Sequence, residues 1–499
     1  MVHEMKLGTR RARVAVLAIA VLGLTAGCGL KQKQLDSLKA NAINPGVAQG
    51  QIDNGNGGFV SPTSPNGTAA PTTGTTGPGA TNPTTGTTGP GGTTGPGGTT
   101  PGGTTPTTGP TTAPGAPCGT PIGGNTTGLT SRGISIGVHA PQTGTGAPLP
   151  PSFADGVQVF WNQAANKVCG RKVTVDFQDD KYTPASARAV CGPMSRRDFL
   201  IFGAAGTDQI QACATMPDIQ RTQTPYFSAG VTTNGLTGLR NYFALSLTYQ
   251  QQGALVVRNA EMRGFAHPKK AGGKWAVVTG SSANFNDATQ GIQDALKAKG
   301  IPFDTYRVNQ TSDNGLQQRA ISTGVNLAGK GYETVDVVTS PGYFVYMTSG
   351  ASKQGYNPQY TGPGVTMTEV TVAQLACSGT VGVIRANFLA PLPGIDRASS
   401  EFKTATGGKY DDIYWALWGQ AQITYQALMN ANDNLTRENL IAKTQGATLP
   451  GGAFAAARFS GGSHFGGTGV YSQVMNCKET EPNQSQQGAW DTVGGRIDL

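Results

Sequence analysis

The stretch from Phe199 to Thr233, FLIFGAAGTDQIQACATMPDIQRTQTPYFSAGVTT, decides the fold. FLIFGAA is an apolar run of buried-strand length, and GTDQIQACATMPDIQ spaces its apolar residues as a helix does. TPYFSAG returns as a second strand. A strand, a crossover helix and a second strand make a βαβ unit, which requires a parallel sheet. Ligands of such sheets sit beyond the carboxyl ends of the strands. The residues of interest are therefore Gly206, Thr207 and Asp208 after the first strand, and Gly230, Val231, Thr232 and Thr233 after the second. Their hydroxyls and free N–H groups suit a polar ligand, although turns and helix caps draw on the same residue types.

Working outward, the same alternation recurs on both sides. GISIGVHAP (133–141) and KVTVDFQDD (172–180) read as strands, with helices predicted over 151–168 and 184–194. YFALSLT (242–248) and a helix from Gln250 follow. A second series starts at WAVVTGS (275–281) and runs through FDTYRVN and VDVVTSP to TVGVIRANFL (380–389). DDIYWALWGQAQITYQALMNA is a long apolar helix, with TRENLIAKTQ behind it. Two βα series, with the chain crossing back near 380–390, predict an α/β protein of two Rossmann-like lobes joined by several strands. A cleft between lobes is a common small-molecule site.

The chain ahead of these lobes is of a different kind. Lys6, Arg10, Arg11 and Arg13 precede VAVLAIAVLGLTAGC, an apolar core ending in small residues, which predicts a secretory signal peptide over 1–27. The ending resembles the bacterial lipobox, with Thr25 where an aliphatic residue is commonest, and so implies lipidation of Cys28. Between Gly55 and Thr130 no residue is charged, and the TTGPGG repeats can neither bury apolar area nor pair strands. Residues 28–131 are therefore expected to form a disordered, lipid-anchored tether, whose coil of about 100 residues would span about 55 Å. A glycosylated Thr-rich stalk has the same composition.

With Cys28 set aside, six of the 7 cysteines remain for an exported chain, an even number that suggests disulfides. Six allow 15 connectivities. Cys118 and Cys169 precede neighbouring strands, Cys191 and Cys213 lie on consecutive helices of one face, and Cys377 and Cys477 are left over. No pair has zinc-ligand spacing, and with 4 His in the chain no metal is expected. The formal charge of +9 comes partly from the leader, and no basic cluster interleaved with aromatics argues for nucleic acid. Catalysis has two starting points, Ser463-His464 in a glycine-rich loop and His139 on the first strand. Each also reads as an ordinary loop or core residue, so no enzyme is expected.

ISIGVHAPQTGTGA, DGVQVFWNQAANKVCGRKVTVDFQDD, PYFSAGVTT, QDALKAKG and LTRENLIAK occur in an order that resembles the extracellular solute-binding proteins of branched-chain amino acid ABC transporters, the type I periplasmic binding fold. The resemblance covers most of residues 132–475. It implies lobe 1 over 132–247 and 388–460, and lobe 2 over 248–387 and 461–499. It also implies capture of a small polar solute (an amino acid, an amide or a related small molecule), delivery to an ABC permease, no cofactor, a monomer, and a place outside the cytoplasmic membrane. The ligand residues it implies are Thr207, Gly230 and Thr232 in lobe 1, with Phe285 and Tyr343 in lobe 2. The family's acidic partner for an ammonium group falls where this chain has Gly364, with Glu369 out of register, which argues against an α-amino acid. Other readings are a ligand-sensing module acting on a separate receptor, and a wall-associated interaction protein.

Overall fold

The computed structural model describes residues 52–53, 118–143, 152–229, 232–311, 313–364, 370–378, 385–460, 462–482 and 484–499. The leader, Cys28 and most of the tether lie outside the described residues, as do Gly230, Val231 and Glu369. The strands are β1 (Ile52–Asp53), β2 (Gly133–Ala140), β3 (Lys172–Asp179), β4 (Leu200–Gly203), β5 (Tyr226–Ser228), β6 (Tyr242–Ala244), β7 (Trp275–Gly280), β8 (Phe303–Val308), β9 (Thr334–Val338), β10 (Gln359–Pro363), β11 (Arg385–Ala390), β12 (Thr448–Leu449), β13 (Ala457–Arg458), β14 (Gly469–Asn476) and β15 (Ala489–Asp498). The helices used below are α1 (Ser152–Gly156), α2 (Pro184–Arg197), α3 (Thr207–Ala214), α4 (Pro217–Arg221), α5 (Tyr249–Met262), α6 (Asn286–Ala298), α7 (Leu316–Lys330), α8 (Pro341–Ser352), α9 (Val370–Cys377), α10 (Ser400–Ala405), α11 (Asp412–Asn430) and α12 (Arg437–Thr444).

Two sheets result. The first has the order β3-β2-β4-β5-β6 and is parallel throughout. The second has the order β1-β8-β7-β9-β10-β11-β14-β15; its five central strands are parallel, and β14 and β15 close one edge antiparallel. These are the two parallel α/β lobes of the type I periplasmic binding fold. The chain passes between them at 245–248, 391–399 and 459–468. The first and third passages run side by side, with Ala244 N donating to His464 O (2.8 Å) and Gly466 N to Ala244 O (2.9 Å).

Local chemistry accounts for the departures from the sequence reading. The helix expected over 207–220 is two helices, because Pro217 holds Met216 extended (φ −61°, ψ 138°). The helix expected over 151–168 is α-helical only at 152–156. Beyond Gly156 the Val159 and Gln163 N–H groups bond three residues back, and Phe160 turns edge-on to Trp418 of α11 (5.1 Å between centroids). The antiparallel pair β14–β15 is an addition to the βα series. Residues 118–131, read with the tether, are tied to lobe 1: Gly119 N donates to Asn432 O (3.2 Å), and Asn125 N to the Glu438 carboxylate (2.8 Å).

Three disulfides join Cys118–Cys169, Cys191–Cys213 and Cys377–Cys477. The last spans 100 residues and pins α9 to the end of β14. A loop of that length is the most costly of the three to close in the unfolded chain. The double variant Cys377→Ser/Cys477→Ser is therefore expected to lose about 2–5 kcal/mol of stability. Urea unfolding of both proteins without reductant checks this, and coincident midpoints would contradict it.

Candidate functional site

The turns after β4 and β5 divide their residues between two environments. Gly206 takes φ +87°, a left-handed conformation that only glycine adopts easily, and this starts α3 abruptly after Ala204 and Ala205. Side chains at 207–208 and 232–234 face polar groups of α5, of the turn after β7 and of α6, while Ala204, Ala205 and Ala229 line a cavity.

On the polar side the lobes touch directly. Ser282 Oγ and Asn284 Nδ2 donate to Asp208 (2.8 and 2.6 Å), and Asn234 Nδ2 donates to Asn284 Oδ1 (2.6 Å). Thr233 N donates to Asp287 (2.7 Å), and Thr232 also bonds this carboxylate. Burial raises the Asp287 pKa, and these donors only partly offset it. Thr207 shares a hydrogen bond with the Tyr249 hydroxyl (2.7 Å), and Tyr249 stacks on Phe285 with ring centroids 6.0 Å apart.

The cavity has a volume of about 110 Å³. Lobe 1 supplies Phe153, Ala204, Ala205 and Ala229. The second passage between lobes adds residues 391–395, and α11 adds Asp412, Trp415 and Gln420. The antiparallel edge of lobe 2 contributes Gln473, Glu481 and Trp490. Both sheets and a crossing segment thus meet around it. Gln473 Nε2 donates to Leu392 O (3.3 Å), which fixes the orientation of its amide. Burial pushes the Glu481 carboxyl up to about 7, and the acids Asp396, Asp491 and Glu479 add to the effect against one backbone donor at Trp490.

The sequence-predicted residues fall into three places. Thr207, Thr232 and Phe285 come together at the contact between lobes, beside the cavity and not among the residues that line it. Gly230 is outside the described residues. Tyr343 is buried in the core of lobe 2, where its hydroxyl shares a hydrogen bond with Thr323 of α7 (2.8 Å). At Gly364 a β-carbon would lie 1.9 Å from Leu389 O, so the backbone excludes any acidic side chain there. The acids of the cavity, Glu481 and Asp412, stand at other positions than the one where the resemblance places an acid. One signal for the cavity was present: Gln420 is a buried amide on a helix that is otherwise rich in Trp, Leu and Ala.

Neither catalytic starting point is assembled. Ser463 Oγ donates to Phe465 O (3.1 Å), and His464 Nδ1 bonds Tyr242 O (2.8 Å). His139 is fully buried between Asp180 (2.8 Å) and the Tyr226 hydroxyl (2.6 Å), a satisfied core residue.

A family model described as periplasmic binding protein matches residues 133–482. No curated protein matches the chain significantly. Among solved structures, the fatty acid ABC transporter substrate-binding protein from Thermomonospora curvata superposes with a TM-score of 0.61 at 18% identity, covering 76% of this chain and 96% of its own. A solute-binding protein of an ABC transporter from Rhodopseudomonas palustris, in complex with 3,4-dihydroxy benzoic acid, gives 0.58 at 14% identity over 73% and 97%. A leucine-binding protein from Thermotoga maritima gives 0.56 at 13% identity over 73% and 99%. The chain belongs to the periplasmic binding protein family, whose members bind and do not catalyse.

Proposed function

We propose that this protein captures a small solute in the cavity between its lobes and delivers it to an ABC permease. The observation that carries the reading is the position of the cavity. It lies at the carboxyl ends of β4 and β5, with walls from both sheets and from the passage at 391–395. A solute there touches both lobes at once, so its contacts stabilise the arrangement in which they meet. The ligand residues are then Ala204, Ala205, Ala229, Trp415, Gln473 and Trp490. Thr207, Thr232 and Phe285 hold the lobes together beside them. The leader sequence and Cys28 support export and lipid anchoring, with the tether letting a monomer range over the outer face of the cell membrane to reach its permease.

A thermal-shift panel of amino acids, amides, small carboxylates and amines against the full-length protein tests this. A solute present at 100 times its dissociation constant is expected to add about 2.7 kcal/mol of stability. Thermal midpoints that stay level across solutes small enough for the cavity would contradict the reading.

A further inference from the structure

The chemistry of the cavity wall points to one ligand class. Gln420 and Gln473 are 4% and 2% exposed, and the Oε1 of each accepts no hydrogen bond from any described residue. Both line the cavity, beside the carboxyl groups of Glu481 and Asp412. Among the described residues no Lys, Arg or His lines it. The wall therefore offers two amide oxygens without donors and two carboxyl groups able to ionise, together with the aromatic rings of Trp415 and Trp490. An anion would be buried against these carboxyl groups with no cationic side chain among the described lining residues, at high cost. A cation would pair with them, give hydrogens to the amide oxygens and sit favourably near the indoles.

Resting on the cavity being the solute site, we infer that its ligand is a small organic cation, an alkylammonium whose nitrogen faces Glu481, Gln420 and Gln473 and whose carbon skeleton lies against Ala204, Ala229 and Trp415. The size agrees. An engineered apolar cavity of about 150 Å³ takes benzene, so about 110 Å³ suits a ligand of about five heavy atoms.

Protonation of Glu481 supplies the readout. The groups acting on it are Asp396 in the second passage, Asp491 on β15, Glu479 in its own loop and the nearby Tyr410. Arg397 is 3.6 Å from Asp396. Glu481 has its pKa raised by burial, so below about pH 7 it carries a proton in the empty cavity. A bound cation favours the ionised form, so binding releases that proton. Affinity for a cation accordingly rises with pH through this range, by up to about tenfold per pH unit below the shifted pKa.

The experiment uses the full-length protein in mild detergent and three probes of one skeleton: isobutylamine, isobutanol and isobutyrate. Calorimetric titration at pH 5.5 and pH 8 is expected to give the order amine, then alcohol, then acid. The amine should bind about tenfold or more tightly at the higher pH, while the alcohol stays level. Glu481→Gln should weaken the amine about tenfold or more, spare the alcohol and flatten the pH dependence. Tighter binding of isobutyrate, an amine affinity that Glu481→Gln leaves intact, or silence from all three probes would each overturn the inference. Failure of the cavity as the solute site has its own signature, a solute of any charge whose affinity survives both Ala205→Leu and Ala229→Leu.

Discussion

Arg437→Ala is expected to lower the unfolding free energy by about 3–5 kcal/mol. Arg437 opens α12, a late helix, yet its guanidinium is fully buried in lobe 1. Nε donates to Phe199 O (3.1 Å), Nη1 to Thr222 O (3.3 Å), and Nη2 to Ser195 O (2.9 Å) and Asp198 O. Two of those carbonyls belong to the carboxyl end of α2, where the helix dipole favours a cation. Burial still pulls the Arg437 pKa down to about 10, so the cation is retained at neutral pH. Alanine would take a charged donor from three buried carbonyls, at Ser195, Asp198 and Phe199, and remove the tie between α12, α2 and β4. Arg437→Lys, with a single donor head, should recover only part of the loss. Chemical unfolding of the three proteins gives the comparison, and a loss below about 1 kcal/mol in the alanine variant would show that the carbonyls find other partners.

Ala229→Phe is expected to weaken solute binding about 100-fold or more, about 2.8 kcal/mol. Ala229 follows β5 directly and forms part of the cavity wall, so a phenyl ring there occupies most of about 110 Å³. The substitution points into open space at a strand end, and its packing cost should stay within about 1–3 kcal/mol. Titration of a solute that shifts the thermal midpoint of the wild type reads the affinity, and the midpoint of the empty variant reports the fold. Full affinity in a folded Ala229→Phe protein would place the solute elsewhere.

Much of this architecture was legible in the residues. Apolar runs such as FLIFG and WAVVTG, separated by amphipathic stretches, leave little besides a parallel α/β sheet, and both lobes follow. Proline chemistry could have divided the helix at Met216, since the residue before a proline resists the helical conformation. GVYSQVMN and AWDTVGGRID lack a clean period-two pattern of apolar residues, so β14 and β15 carried little signal. The site was half legible. The turns after β4 and β5 could be located from glycine and threonine, but not the direction each side chain takes. Thr207 and Thr232 point to Tyr249 and Asp287, and the plain alanines beside them face the cavity. Glu481 was hidden for another reason. It lies 117 residues beyond Gly364, and a disulfide to Cys377 anchors its loop near the core.

The most direct test of the central claim is a crystal structure of the protein with a solute that raises its thermal midpoint. The account predicts ligand density between Ala204 and Ala229 on one side and Gln473 and Trp490 on the other, with the Asp208–Asn284 and Thr233–Asp287 hydrogen bonds in place beside it. Density among the side chains of Thr207, Thr232 and Phe285, or on an outer face of either lobe, would contradict it.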